Sequence, residues 1–139
     1  MERTCIDTDV LVELAKKKLI RRVDKALNLY LTSITLYEYL RGLAYIGRDL
    51  GESKEELESR FNVIHLSSEA IIMASKIYSA TRREGFLASD LDLLIASMCI
   101  VNDIPLSTQN EHHYSKLTRY GLKLMDPSLV LSRVEKARA

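Results

Sequence analysis

Short apolar runs that alternate with longer helical patterns constrain this chain more than any other feature of its sequence. "TCID" (4–7) is brief, apolar and followed at once by a change of period, and "LYLTSI" (29–34) has the same character. "NVIHL" (62–66) and "DIPLST" (103–108) read as two further strands, with "GLKLM" (121–125) as a fifth. Between them, "TLYEYLRGLAYIG" carries Leu36, Tyr39, Leu40, Leu43, Ala44 and Ile46 close to one helical stripe, with Gly47 as its stop. "SEAIIMASKIYSATRREG" repeats the arrangement with Ile71, Ala74, Ile77, Tyr78 and Thr81, and Gly85 ends it. The last segment opens "DPSLV", where Asp126 can cap a closing helix and Pro127 can take its first position. Strands separated by helices of about 10–15 residues call for right-handed crossovers. The predicted fold class is therefore α/β, a three-layer α/β/α sandwich on a mostly parallel four- to five-stranded sheet.

The 139 residues suit a single domain over residues 1–139, since one core of this size buries most of its unfolded surface. Hydrophobic residues at 47% and charged residues at 28% exclude a disordered, collagen-like or disulfide-dense chain. No apolar run approaches the roughly 18 residues needed to span a bilayer, and the N-terminus lacks the pattern of a secretory signal. The expected location is the cytoplasm, with no membrane partner. Cys5 and Cys99 have no metal-type spacing and read as small buried hydrophobes. A net charge of +1 neither announces nor forbids a nucleic-acid binder, so the distribution matters more. "KKKLIRR" (16–22) is basic, whereas "DLGESKEELES" (49–59) is acid-rich, as expected of a solvated helix face.

Ligands of open α/β sheets bind outside the carboxyl ends of the strands. "TCIDTDVLVEL" delivers Asp7 and Asp9 to that edge, and Glu38, four residues beyond Ile34, is expected in the first turn of the helix after the second strand. In "SDLDLLIASMCIV", Asp90 and Asp92 open a helix that is apolar nearly all round and therefore buried on most sides. Two like charges about 4 Å apart repel by roughly 4 kcal/mol at an effective dielectric near 20, against a total stability of about 5–15 kcal/mol. Converging carboxylates thus need a cation, a shared proton or wide separation. Helix capping accounts for each acid singly: Thr35-x-x-Glu38 and Ser89-x-x-Asp92 match the capping box, and Asp7 can cap the helix that follows it. It does not account for acids doubled as D-x-D, nor for acids from three segments directed to one edge. A hard divalent cation, Mg²⁺ or Mn²⁺, accounts for both.

The segments "CIDTDVLVEL", "TSITLYEYLRGL", "FNVIHLSSEAIIMASKIYSATRREG" and "ASDLDLLIASMCIVNDIPLSTQN" resemble, in this order and over nearly the whole chain, the PIN-domain ribonucleases. The similarity is closest to the VapC-type toxins of prokaryotic toxin-antitoxin pairs. Its most specific part is an aspartate followed by "LLIAS" and then "IPLSTQN". The resemblance implies that Asp7, Glu38 and Asp92 are the catalytic acids and metal ligands, with Asp9 and Asp90 as accessories. Asn110 fills the family's fourth position, where many members have aspartate and VapC-type members often have asparagine; Glu111 is a possible substitute. The implied reaction is hydrolysis of an RNA phosphodiester with Mg²⁺ or Mn²⁺ and an activated water, without a side-chain nucleophile. A homodimer and a small cognate antitoxin are implied as well.

His112 and His113 invite a role beside Asn110, but adjacent side chains diverge, so at most one can serve, and polar side chains turned to water explain them as well. Arg41, Lys16 to Lys18, Arg21 and Arg22 are candidates for contacts to the RNA backbone, and Tyr37 or Tyr39 for stacking on a base. Exposed solubilising residues and core aromatics are the plainer explanation of both sets. Two rivals stand beside the nuclease. "CIDTDVL" also resembles the D-x-D of haloacid-dehalogenase-type phosphatases, although the lysine motif of that family is missing. A PIN fold without catalysis, acting as a protein or RNA adaptor, has Asn110 as its support. Glycine-rich phosphate loops and a Ser-His-Asp order are both absent.

Overall fold

Strand β1 (Thr4–Ile6) leads into α1 (Thr8–Lys16), and β2 (Leu29–Thr32) into α2 (Ser33–Tyr45) and α3 (Leu50–Arg60). After β3 (Asn62–Ile64) come α4 (Ser68–Arg83) and α5 (Asp90–Val101), then β4 (Leu106–Ser107), the short α6 (Glu111–Tyr114), β5 (Leu124–Met125) and α7 (Pro127–Glu135). The computed structural model describes residues 1–137, so the last two residues of the domain expected over 1–139 lie outside it. The five strands form one sheet in the order β3-β2-β1-β4-β5, with every pairing parallel. The order in which the strands are added therefore reverses between β1 and β4, the place where open parallel sheets bind ligands.

Alternation along each strand divides the core into two layers. Cys5, Ile64 and Leu106 join Ala96, Cys99 and Tyr114 on the side of α4 and α5. Ile6, Leu29 and Leu31 join Val10 and Leu14 of α1, Leu57 of α3 and Val130 of α7 on the other. Both cysteines are fully buried, as expected, and the Cys5 thiol together with burial pushes the Cys99 thiol well up. Asp7 follows Cys5 by two residues, so the strand period turns its side chain towards α5.

The caps expected at Ser89, Asp7 and Asp126 form, with Pro127 opening α7. The second helix differs from expectation. β2 stops at Thr32, whose hydroxyl accepts from the Thr35 N–H at 3.0 Å, so Thr32 rather than Thr35 is the cap. The helix thus begins three residues earlier than a Thr35 cap would set it, and Glu38 lies in its second turn rather than its first. Its apolar stripe is covered only at the start: Leu36 is buried, while Tyr45 and Ile46 are exposed.

Candidate active site

Asp7 sits at the junction of β1 and α1. Its backbone N–H donates to the Ser107 carbonyl of β4 (2.9 Å), which fixes it at the β1/β4 reversal. One carboxylate oxygen caps α1 by accepting from the Thr8 N–H (2.9 Å), and the other accepts from the Thr108 hydroxyl (2.9 Å). The residue is 6% exposed. Burial first, and then the negative charges of Asp9 and Asp92, push its carboxyl up to about 6, against the pull of these two hydrogen bonds. A carboxylate so placed is poorly compensated by the protein alone.

Glu38 reaches the same edge from α2. Its Oε1 accepts from the Thr8 hydroxyl at 2.8 Å, and its Oε2 lies 3.8 Å from the Arg41 guanidinium, one turn further along the helix. Arg41 in turn lies over the exposed Tyr37 ring, 5.2 Å from its centroid, whereas Tyr39 packs partly into the core. Asp9, in the first turn of α1, is held by the Gln109 N–H (3.2 Å) and the Thr108 hydroxyl (3.4 Å). Thr108 has one proton for two carboxylates and also accepts from the Asn110 N–H (3.0 Å), so it ties the loop after β4 to the start of α1.

Asp92 arrives from the first turn of α5. Its Oδ1 accepts from the Tyr114 hydroxyl at 3.0 Å and its Oδ2 lies 2.8 Å from His113 Nε2. Burial, then the charges of Asp7 and Asp92, hold the Tyr114 hydroxyl strongly on the protonated side, which keeps it a donor. Asp90 is two residues away but turned about 200° around the helix, and it is exposed in a groove of about 560 Å³ lined by Ile71, Tyr78 and Leu94. Of the two neighbouring aspartates, only Asp92 joins Asp7.

Asn110 precedes α6 with its side chain exposed and in no capping bond, His112 is exposed, and His113 is the histidine that meets an acid. The basic run lies elsewhere. α1 starts at the acid edge and runs away from it for nine residues, about 13 Å, so Lys16 to Lys18 emerge at the opposite end of the sheet. Arg21 is anchored there too: its carbonyl and that of Val23 accept from Arg60, just before β3 begins. Arg22 donates to the Glu135 carbonyl at the end of α7. Thr8, Thr108 and Tyr114 are site residues without a sequence signal of their own.

Among the described residues no three His, Cys, Asp or Glu side chains are gathered closely enough to enclose a metal ion. The donor set nevertheless suits a hard divalent cation: it is all carboxylate oxygen, it comes from three segments of chain, and Asp7 is raised by burial and then by its neighbours' charge. The acids are held instead by Thr8, Thr108, Tyr114, His113 and Arg41.

Residues 4–119 match the PIN domain. The chain is 33% identical over 126 residues to Ribonuclease VapC1 of Methanocaldococcus jannaschii, covering 87% of this chain and 85% of that protein. Its fold matches DNA-bound VapBC from Salmonella typhimurium with a TM-score of 0.73 at 22% identity, over 91% of this chain and 99% of that one. It also matches VapBC-5 of Mycobacterium tuberculosis, a member of the VapBC family of toxin-antitoxin systems, with a TM-score of 0.62 at 20% identity, over 91% and 99% of the two chains.

Proposed function

The chain belongs to the PIN-domain family, and from that premise we propose that it is an endoribonuclease that hydrolyses RNA phosphodiester bonds at the carboxyl edge of its sheet. The observation that carries this is the meeting of Asp7, from the end of β1, with Asp92, from the start of α5, beside Thr8-bound Glu38. Asp7, Glu38 and Asp92 would hold Mg²⁺ or Mn²⁺, with Asp9 as an accessory. When bound, such an ion supplies Lewis-acid stabilisation of the phosphoryl oxygens and a water acidic enough to attack. Thr108 and Thr8 orient the acids, and Arg41 beside Glu38 offers a positive charge to the RNA backbone. Asn110, exposed at the loop tip, fits a peripheral role.

The haloacid-dehalogenase alternative falls with the family, and a buried Asp7 kept beside the charges of Asp9 and Asp92 gives no support to an inactive adaptor. The proposal extends to one nuclease domain over residues 1–139, because α7, beyond the matched residues, puts Val130 and Val134 into the same core as β1. Among the described residues no helix is long and apolar enough to cross a membrane, and we take the enzyme to act on cytoplasmic RNA. The kinship with VapC1 and the VapBC fold supports a cognate antitoxin as partner. The exposed Ile71 and Tyr78 beside the α4–α5 groove support a homodimer.

The test is cleavage of a structured RNA by the purified chain with Mg²⁺ or Mn²⁺, with a chelator, and with Asp7→Asn or Asp92→Asn. Loss of cleavage in the last three conditions is expected. Cleavage that survives both the chelator and the substitutions would overturn the assignment.

A further inference from the structure

Asp92 lies at the start of a helix with its side chain 24% exposed, where an unheld carboxylate can change rotamer freely. Here both oxygens are engaged, by the Tyr114 hydroxyl at 3.0 Å and by His113 Nε2 at 2.8 Å. The two holders differ in rigidity. Tyr114 is 1% exposed and is embedded among the buried side chains of the α4–α5 layer. The His113 side chain is 33% exposed; its ring sits 6.5 Å from Phe86 and meets Tyr114 edge-on at 5.9 Å. Phe86 belongs to the turn between α4 and α5, so the brace also ties the segment leading into Asp92 to α6.

The cost of a tyrosine here is informative. A phenylalanine would fill the same core space without a buried hydroxyl, whose burial needs a partner. That partner is a carboxylate that could otherwise turn to water. Each carboxylate oxygen has a second acceptor site, so Asp92 can accept from Tyr114 and still offer an oxygen to a ligand. Partners of this kind fix ligand orientation at metal sites, and their removal typically weakens metal affinity by about 10–100-fold.

We propose that Tyr114, seconded by His113, is a positioning residue of the site: it fixes the Asp92 carboxylate so that the oxygen set is ready for a divalent cation. The inference rests on the cation-dependent nuclease assignment above, and it concerns how that site is held rather than what it cuts. Its role is exerted through Asp92, whose oxygen its hydroxyl bonds, and not as a ligand of its own.

The experiment titrates Mn²⁺ alone into the parent, Tyr114→Phe and His113→Ala by calorimetry, with circular dichroism as the folding control and RNA cleavage against Mn²⁺ concentration alongside. Tyr114→Phe is expected to raise the dissociation constant about tenfold or more at unchanged stoichiometry. The Mn²⁺ concentration for half-maximal cleavage should rise by the same factor, with the rate at saturating Mn²⁺ within about threefold of the parent. His113→Ala should weaken binding by a smaller factor, about two- to fivefold. A purely structural role would lower the stoichiometry and the maximal rate while leaving the dissociation constant in place, and that result would overturn the proposal. So would a parent-like dissociation constant in Tyr114→Phe. Should Tyr114→Phe lack the parent's spectrum, His113→Ala decides: unchanged affinity there also overturns the brace. A parent that binds no Mn²⁺ removes the cation assignment and this inference together, whereas binding by the parent with an indifferent Tyr114→Phe removes this inference alone.

Discussion

The two ends of the sheet carry opposite charge, although the residues responsible are neighbours in sequence. Asp7 and Asp9 stand at the carboxyl edge, whereas Lys16 to Lys18 and Arg21, at most 14 residues later, stand at the amino edge. A single helix run, α1, separates them. In a parallel sheet every strand delivers its end to the same edge, and the last helix before the next strand carries its own end away from it. Charge at a strand end is thus collected with other strand ends, and charge at a return helix's end is collected with strand beginnings. Proximity in sequence to an active-site acid is a poor guide to proximity in space once a helix intervenes.

The contrast is broken most strongly by substituting each end in turn. Asp7→Asn or Asp92→Asn should lower the RNA cleavage rate by about 10²–10³-fold or more, the size of losing one preorganised electrostatic contact. Neutralising Lys16, Lys17 and Lys18 together to Ser should leave cleavage within about twofold at moderate salt. A large loss from the lysine substitutions would mean that RNA reaches around the sheet, and the division of labour between the ends would be wrong.

Removal of Thr108 sharpens the acid end further. Thr108→Val takes away the donor to Asp7 and Asp9 and the acceptor for the Asn110 N–H while keeping the side chain's shape. Urea unfolding should register a loss of about 1–3 kcal/mol, the cost of leaving buried polar groups without partners. The same change at the exposed Thr118, whose hydroxyl donates to the Ser115 carbonyl, should cost about 0.5 kcal/mol or less.

A further prediction concerns pH. The Asp7 carboxyl is raised from 3.8 to about 6 in the folded chain, so between those values the folded state binds more proton than the unfolded one. Stability from this group therefore falls as pH rises from about 4 to about 6, and the full cost, on the order of 2–3 kcal/mol, is present above pH 6. In chelator, Asp7→Asn should accordingly be more stable than the parent at pH 8, with the advantage shrinking towards pH 4. An asparagine keeps the acceptor for the Thr8 N–H, and the Thr108 hydroxyl can turn to Asp9. Unfolding curves at the two pH values decide this. An advantage that grows towards acid would mean that Asp7 is stabilised, not strained, by its surroundings. The smallest effect belongs to the basic end, where the lysine substitutions should shift unfolding by less than about 0.5 kcal/mol at either pH.

Much of this architecture is legible in the sequence. Periodicity located all five strands, and the strand-end rule sent Asp7 and Glu38 to one edge because parallel order makes that edge common to them, whereas Asp92, at the start of a helix that follows another helix, was named by the family resemblance. Caps at Asp7, Ser89 and Asp126 were legible because capping is a matter of a few adjacent residues. The boundary of α2 was misplaced for a local reason too, since Thr32 and Thr35 are both good caps and only the strand's end at Thr32 chose between them.

What the sequence could not contain is which distant side chains meet. Thr108 lies 101 residues from Asp7, and Tyr114 lies 22 from Asp92, so no spacing rule links either pair. Asp90 and Asp92 look equivalent in the string, yet the helical turn between them sends one to a surface groove and the other to Tyr114 and His113. Composition and period are properties of short stretches, and they determined the elements and the edge. Contacts across the fold depend on how whole layers pack. That packing alone decided which acids share a site, which donors hold them, and why the basic run beside Asp7 in sequence sits at the far end of the molecule.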